Sequence, residues 1–136
     1  MVEAAKQSEP RRSVDALLDE SRAQIERYTV QEARSYQQQG AWLIDIRPIA
    51  QRSQYGQVPD ALVIERNVLE WRLDPQCAHR LPEASSYERR IIILCQQGYA
   101  SSMAAASVRS LGYRHVADVI GGFDAWLQAG LPVSTL

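Results

Sequence analysis

The 136-residue chain has only two cysteines, Cys77 and Cys95. Two are too few for the bridge framework that staples small secreted domains, so a reducing, cytoplasmic setting is expected. The opening stretch Met1–Gln7 lacks the apolar run of a signal peptide, and no later run is long enough to span a bilayer. An excess of either charge is also missing. Fifteen Lys and Arg stand against 16 Asp and Glu, a net charge of -1, which argues against general affinity for nucleic acid or anionic membranes. The two histidines, His79 and His115, lie far apart and match no metal-ligand spacing, so neither a metal site nor a bound cofactor is expected.

What is present reads as one globular domain. A hydrophobic content of 46% with 23% charged residues is ordinary for such a chain, and the length suits a single core. Met1–Arg12 is polar, contains Pro10 and reads as a loose tail. Ser13 is placed to cap a helix through about Glu26 with Val14, Leu17, Leu18, Ser21 and Ile25 on one face. That face needs a surface to cover, in its own domain or on a partner. Residues 1–26 are therefore divided from a main domain, 27–136.

Within the main domain the pattern alternates. A short strand at Arg27–Thr29 leads into Thr29-Val30-Gln31-Glu32, a capping box that opens a helix stopping at Gly40. Strands are predicted at Ala41–Ile46, Ala61–Ile64, Arg90–Cys95 and Val116–Ile120. One helical turn is predicted around Val68–Arg72, a helix capped by Ser101 or Ser102 runs to Leu111, and a last helix covers Phe123–Ala129. Strands that alternate with helices, mostly apolar throughout, form a parallel sheet covered on both faces. Ligands of such sheets bind at the carboxyl ends of strands.

Cys95 stands at one of those ends. It closes the run Ile91-Ile92-Ile93-Leu94 and enters Gln96-Gln97-Gly98-Tyr99-Ala100-Ser101-Ser102, a short loop with a helix behind it. Backbone N–H groups of such a loop, together with the helix dipole, favour an anion. A thiolate is the nucleophilic form of cysteine, so the placement points to covalent chemistry. An isolated cysteine at a strand end is otherwise a small buried hydrophobe.

Four segments carry a resemblance to a known family. Gly121-Gly122-Phe123-Asp124-Ala125-Trp126-Leu127-Gln128-Ala129-Gly130-Leu131-Pro132-Val133 resembles the closing G-G-x-x-A-W-x-x-A-G-x-P-V of rhodanese-like domains. Asp45-Ile46-Arg47 looks like their D-x-R, Val58-Pro59-Asp60-Ala61 like their I-P-G-A, and Cys95 falls where their active-site cysteine stands. The likeness spans about Arg27 to Val133. Glu65–Arg72 and the N-terminal helix are similar to single-domain rhodanese-like proteins of actinobacteria.

The resemblance implies an α/β/α sandwich around a five-stranded parallel sheet, with the N-terminal helix added. It implies sulfurtransfer. A sulfane sulfur passes from thiosulfate or a persulfide to Cys95, and from the Cys95 persulfide to cyanide or another thiol. The backbone from Gln96, Gln97, Gly98, Tyr99 and Ala100 to Ser101 would hold the anion. Family loops often read C-R-x-G-x-R-S, whereas Gln96 and Ala100 occupy the arginine positions here. The loop thus carries no cation, and weak use of thiosulfate or a different donor is expected. Arg66 and Arg72 are the candidates to supply positive charge at the mouth, with Arg47 as structural glue or a substrate contact. Ser101 occupies the arginine position of the C-x₅-R phosphatases that share this fold, which argues against phosphatase chemistry.

Trp71 and Tyr99 are candidate pocket walls, Glu70 a solvated or paired carboxylate, and Cys77 either incidental or a resolving thiol. A second reading makes the chain a non-catalytic module that binds a partner or small anion, its N-terminal helix serving a homodimer or protein contact.

Overall fold

A computed structural model describes residues 11–136; most of the expected polar tail lies outside the described residues. The helices are α1 (Val14–Arg22), α2 (Val30–Gln38), α3 (Ile49–Tyr55), α4 (Leu69–Leu73), α5 (Ala100–Ser110) and α6 (Gly122–Gln128). The strands are β1 (Glu26–Tyr28), β2 (Trp42–Asp45), β3 (Leu62–Val63), β4 (Ile91–Leu94) and β5 (Val116–Val119), and a 3₁₀ turn at Arg66–Val68 leads into α4. All five strands are parallel in the order β1-β5-β4-β2-β3, which makes β4 the central strand. The expected five-stranded α/β fold is the one observed.

Alternation of side chains along β4 divides the core. Ile91 and Ile93 pack with Ile44, Leu69, Leu73, Ala104, Ala105 and Val108 on one face. Ile92 and Leu94 pack with Tyr28, Leu43, Val119, Phe123 and Trp126 on the other. Helices cover both faces, and each fully buried Ile or Leu contributes about 1.5–3 kcal/mol. The small residues Ala104 and Ala105 let α5 approach the sheet closely, both being fully buried.

The capping box at Thr29 and Glu32 forms as expected, each partner accepting from the other's backbone N–H. Several details differ from the sequence reading. Helix α1 ends at Arg22, and Glu26 already belongs to β1, because Glu26–Tyr28 pairs with Ala117–Val119. Its apolar stripe is thin: Leu18 is buried, but Val14 and Leu17 remain exposed where α1 packs on α5. Neither Ser101 nor Ser102 caps α5; the N-cap is Tyr99, without a side-chain bond, and both hydroxyls donate instead to the buried carboxylate of Asp118. Helix α3 was not anticipated. It starts at Pro48 without a side-chain cap and buries only Arg52, so it leaves no apolar period to read.

Candidate active site

The carboxyl ends of β2 and β4 open into one pocket of about 480 Å³, lined among others by Arg47, Arg66, Cys95, Gln96, Tyr99 and Ala100. Cys95 lies at its floor, 7% exposed. Its Sγ accepts two backbone hydrogen bonds, from Gly98 N at 3.2 Å and Ser101 N at 3.3 Å. One donor comes from the loop and the other from the first turn of α5, so the helix terminus and the loop converge on the sulfur. Gly98 is required there. Its φ is +86°, and a Cβ would sit 2.7 Å from Gly121 N and 3.1 Å from the Val119 carbonyl.

The closing Gly-Gly motif is built against this loop. A Cβ on Gly122 would fall 2.5 Å from the Cys95 carbonyl oxygen and 2.7 Å from the Gln96 carbonyl carbon. In that closeness Phe123 N donates to the Cys95 carbonyl at 2.9 Å and Asp124 N to the Gln96 carbonyl at 3.0 Å. The orphan N–H groups of α6 thus satisfy the carbonyls that the turning loop leaves unpaired. Further on, Trp126 Nε1 donates to the Pro132 carbonyl at 2.8 Å, which folds the chain back over Trp126.

Arg47 is fully buried and structural in its contacts. Its guanidinium donates to both carboxylate oxygens of Asp45 at 2.8–3.2 Å and to the Gly56 carbonyl at 2.8 Å. It also lies over the Phe123 ring at 4.1 Å. Its remaining donor reaches Gln96 Oε1 at 2.9 Å, and Gln96 Nε2 donates in turn to Asp124 Oδ1 at 2.7 Å. Gln96 therefore bridges β2 to α6, a role an arginine in its place could not fill toward Arg47. The buried polar groups are satisfied: no buried side-chain N or O among the described residues lacks a partner.

Arg66 stands at the pocket mouth, half exposed, and donates to both oxygens of Glu70 at 2.9 Å. The Glu70 carboxyl is held below its usual range: burial alone would raise it, but the hydrogen bonds from Ser107 and the backbone and the charge of Arg66 outweigh that effect. Arg72 does not line the pocket; it donates to the His79 carbonyl at 2.6 Å. Trp71 lies elsewhere too, 56% exposed beside Cys77, Asp74 and Leu111. Gln97, Tyr99 and Ala100 line the Cys95 pocket, Tyr99 as an exposed rim, while Gly98 and Ser101 hold the sulfur from within. Gln51 and Tyr55 of α3 complete the wall.

Four further residues support the loop and were not foreseen. Arg27 and Asp118 are register partners on β1 and β5, joined by a hydrogen bond of 2.9 Å. The Asp118 carboxylate also accepts from Ser101 and Ser102. Arg22 of α1 donates to the Gly98 carbonyl at 2.8 Å, and Asp124 anchors Gln96. Asp118 did leave a sign in the sequence, a carboxylate inside the apolar strand Val116-Ala117-Asp118-Val119, but its partners appear only once the strands are in register.

Comparison with known proteins places this geometry. The rhodanese-like domain family matches residues 29–129. A thiosulfate sulfurtransferase GlpE of Haemophilus influenzae is 34% identical over 107 residues, covering 79% of this chain and 92% of that protein. A sulfurtransferase of Allochromatium vinosum is 33% identical over 91 residues, 67% of this chain and 76% of its own length. Among solved structures, a Rhodopseudomonas palustris protein of unknown function, described as a possible tyrosine phosphatase, superposes with a TM-score of 0.82 at 29% identity, covering 93% of this chain and all of that one. The polysulfide-sulfur transferase homodimer of Wolinella succinogenes shares the fold with a TM-score of 0.69 at 18% identity, covering 89% and 86% of the two chains. This chain belongs to the rhodanese-like domain family. Within that family it is a rhodanese-type sulfurtransferase.

No helix among the described residues is long and apolar enough to cross a membrane, and no cluster of His, Cys, Asp and Glu among them has the geometry of a metal site.

Proposed function

We propose that Cys95 carries sulfur as a persulfide between a sulfane donor and a thiophilic acceptor. The two N–H groups aimed at Sγ from the floor of an open pocket carry this reading. With thiosulfate as donor, the Cys95 thiolate attacks the outer sulfur. An S–S bond forms to Cys95, the bond to the sulfonate sulfur breaks, and sulfite leaves with the electron pair. An acceptor thiolate or cyanide then attacks the outer sulfur of the persulfide, and Cys95 is released as thiolate. Negative charge rests on sulfur throughout, so fixed amide donors serve each stage without a dedicated base.

The pocket's charge bears on the donor. Arg47 is committed to Asp45, Gly56 and Gln96, and Arg66 faces Glu70. Among the described residues lining the pocket, a doubly charged donor thus meets Arg66, shared with a carboxylate, which favours modest thiosulfate activity and leaves room for a less charged persulfide donor. Such a carrier needs no cofactor beyond its own covalent sulfur, and its thiol suits a reducing cytoplasm. Ser101 supports sulfur over phosphate: it is buried, its N–H on Sγ and its hydroxyl on Asp118, where a phosphatase of C-x₅-R type would present a guanidinium.

Intact mass after incubation with thiosulfate or an organic persulfide tests the assignment. The expected result is one added sulfur atom on the wild type and none on Cys95→Ser. No adduct with any donor, or an adduct that survives the substitution, would overturn it in favour of a binding module.

A further inference from the structure

The positive charge missing from the Cys95 loop reaches it from behind. Gly98, whose N–H contacts the sulfur, has a carbonyl that accepts from two guanidinium groups, Arg22 Nη2 at 2.8 Å and Arg27 Nη2 at 3.2 Å. Arg22 also donates through Nε to Ser102 Oγ at 3.0 Å and lies 5.6 Å from the Tyr99 ring centroid. The Ser102 hydroxyl donates in turn to Asp118, which accepts from Ser101 as well. The two residues whose N–H groups hold Sγ, Gly98 and Ser101, are thus tied into a single charged network. Both arginines precede the span matched by the family, residues 29–129.

The two arginines are not equivalent. Arg27 is paired with the Asp118 carboxylate, whereas Arg22 directs its hydrogen bonds, among the described residues, to Gly98 and Ser102. We propose that Arg22, at the end of α1, is a positioning residue for Cys95, holding Gly98 with its N–H on the sulfur and bringing to the back of the loop a cation that meets no carboxylate among the described residues. The proposal rests on Cys95 as the sulfur carrier. It also gives α1 a role that its thin apolar stripe does not explain: the helix delivers a guanidinium to the back of the site. Charge-assisted bonds to a carbonyl are strong and short, and in a half-buried setting they fix a glycine that would otherwise sample several conformations.

The test uses the reduced full-length chain and follows iodoacetamide alkylation of the Cys95 peptide at neutral pH, alongside kcat and KM for thiosulfate with cyanide. Arg22→Met is expected to slow alkylation about tenfold, the scale of one lost charge-assisted bond. It should lower kcat comparably while leaving KM within about twofold. Arg22→Lys should recover most of the alkylation rate, and Arg12→Ala, which removes an exposed pair with Glu20, should change neither. Alkylation of Arg22→Met at the wild-type rate would overturn the proposal. So would a loss that follows a lowered melting temperature and is not recovered by lysine. If Arg22→Met does not fold, Arg22→Gln takes its place, with the same expectations. Alkylation needs no sulfur donor, so a chain that alkylates as expected but never acquires sulfur would sink the persulfide reading alone.

Discussion

Gly122 lies directly against the backbone of Cys95, so close that a single added methyl would overlap the Cys95 carbonyl oxygen at 2.5 Å. The contact joins the most recognisable stretch of sequence to the reactive residue. Its φ of +59° disfavours any side chain, and the neighbouring atoms are backbone and cannot rotate away. Gly122→Ala should destabilise the fold by about 3 kcal/mol or more, combining left-handed strain with overpacking. Urea unfolding measures the loss, and alkylation of Cys95 under native conditions should slow as the loop shifts.

Asp45 and Arg47 form a fully buried pair at the end of β2. Removing one partner leaves the other charge without compensation in a low-dielectric site. Asp45→Asn should cost about 3–5 kcal/mol, although the side chains are nearly isosteric. The midpoint of chemical denaturation should fall accordingly. A change below about 1 kcal/mol would show that Gly56 and Gln96 alone suffice to hold the guanidinium.

Asp60 is the non-glycine residue with positive φ among the described residues, at +65°. It occupies the glycine position of the family's I-P-G-A turn. Asp60→Gly relieves the left-handed strain but frees the unfolded chain, so the net gain should be small, about 0.5 kcal/mol, and opposite in sign to most glycine substitutions. Thermal melting distinguishes a rise from a fall.

Glu70 couples stability to pH at the pocket mouth. Its carboxyl titrates lower in the folded chain than unfolded, so its stabilising contribution is complete above the unfolded value, about 4.3, and fades as pH drops through the folded value. The wild type should therefore exceed Glu70→Gln in unfolding free energy at about pH 6, by less than about 1 kcal/mol, and lose that advantage toward about pH 3. The same substitution leaves Arg66 unneutralised, and KM for thiosulfate should fall about two- to threefold.

Much of this was legible in the chain because it depends on local order. Four apolar residues before Cys95 made the central strand, and a glycine three residues later made the loop that returns an N–H to the sulfur. The capping box at Thr29 and the Gly-Gly turn are likewise decided within a few residues. Helix α3 was not legible, since Pro48 offers no side-chain cap and its one buried residue is Arg52. Ser101 and Ser102 read as caps because a nearby helix start is the usual partner of a serine; the Asp118 carboxylate, 17 and 16 residues away, takes their hydroxyls instead.

The order of residues alone settled the class of fold, the family and the cysteine at the strand end, since hydrophobic period, turn chemistry and motif spacing are properties of neighbours along the chain. Tertiary structure decided which charges meet. Arg47 turned inward to Asp45, Arg72 turned away from the pocket, and Arg22 and Arg27 arrived behind Gly98 from elements that the main motifs do not include. Long side chains find partners through strand register and helix packing, and only the folded sheet brings residue 22 to residue 98.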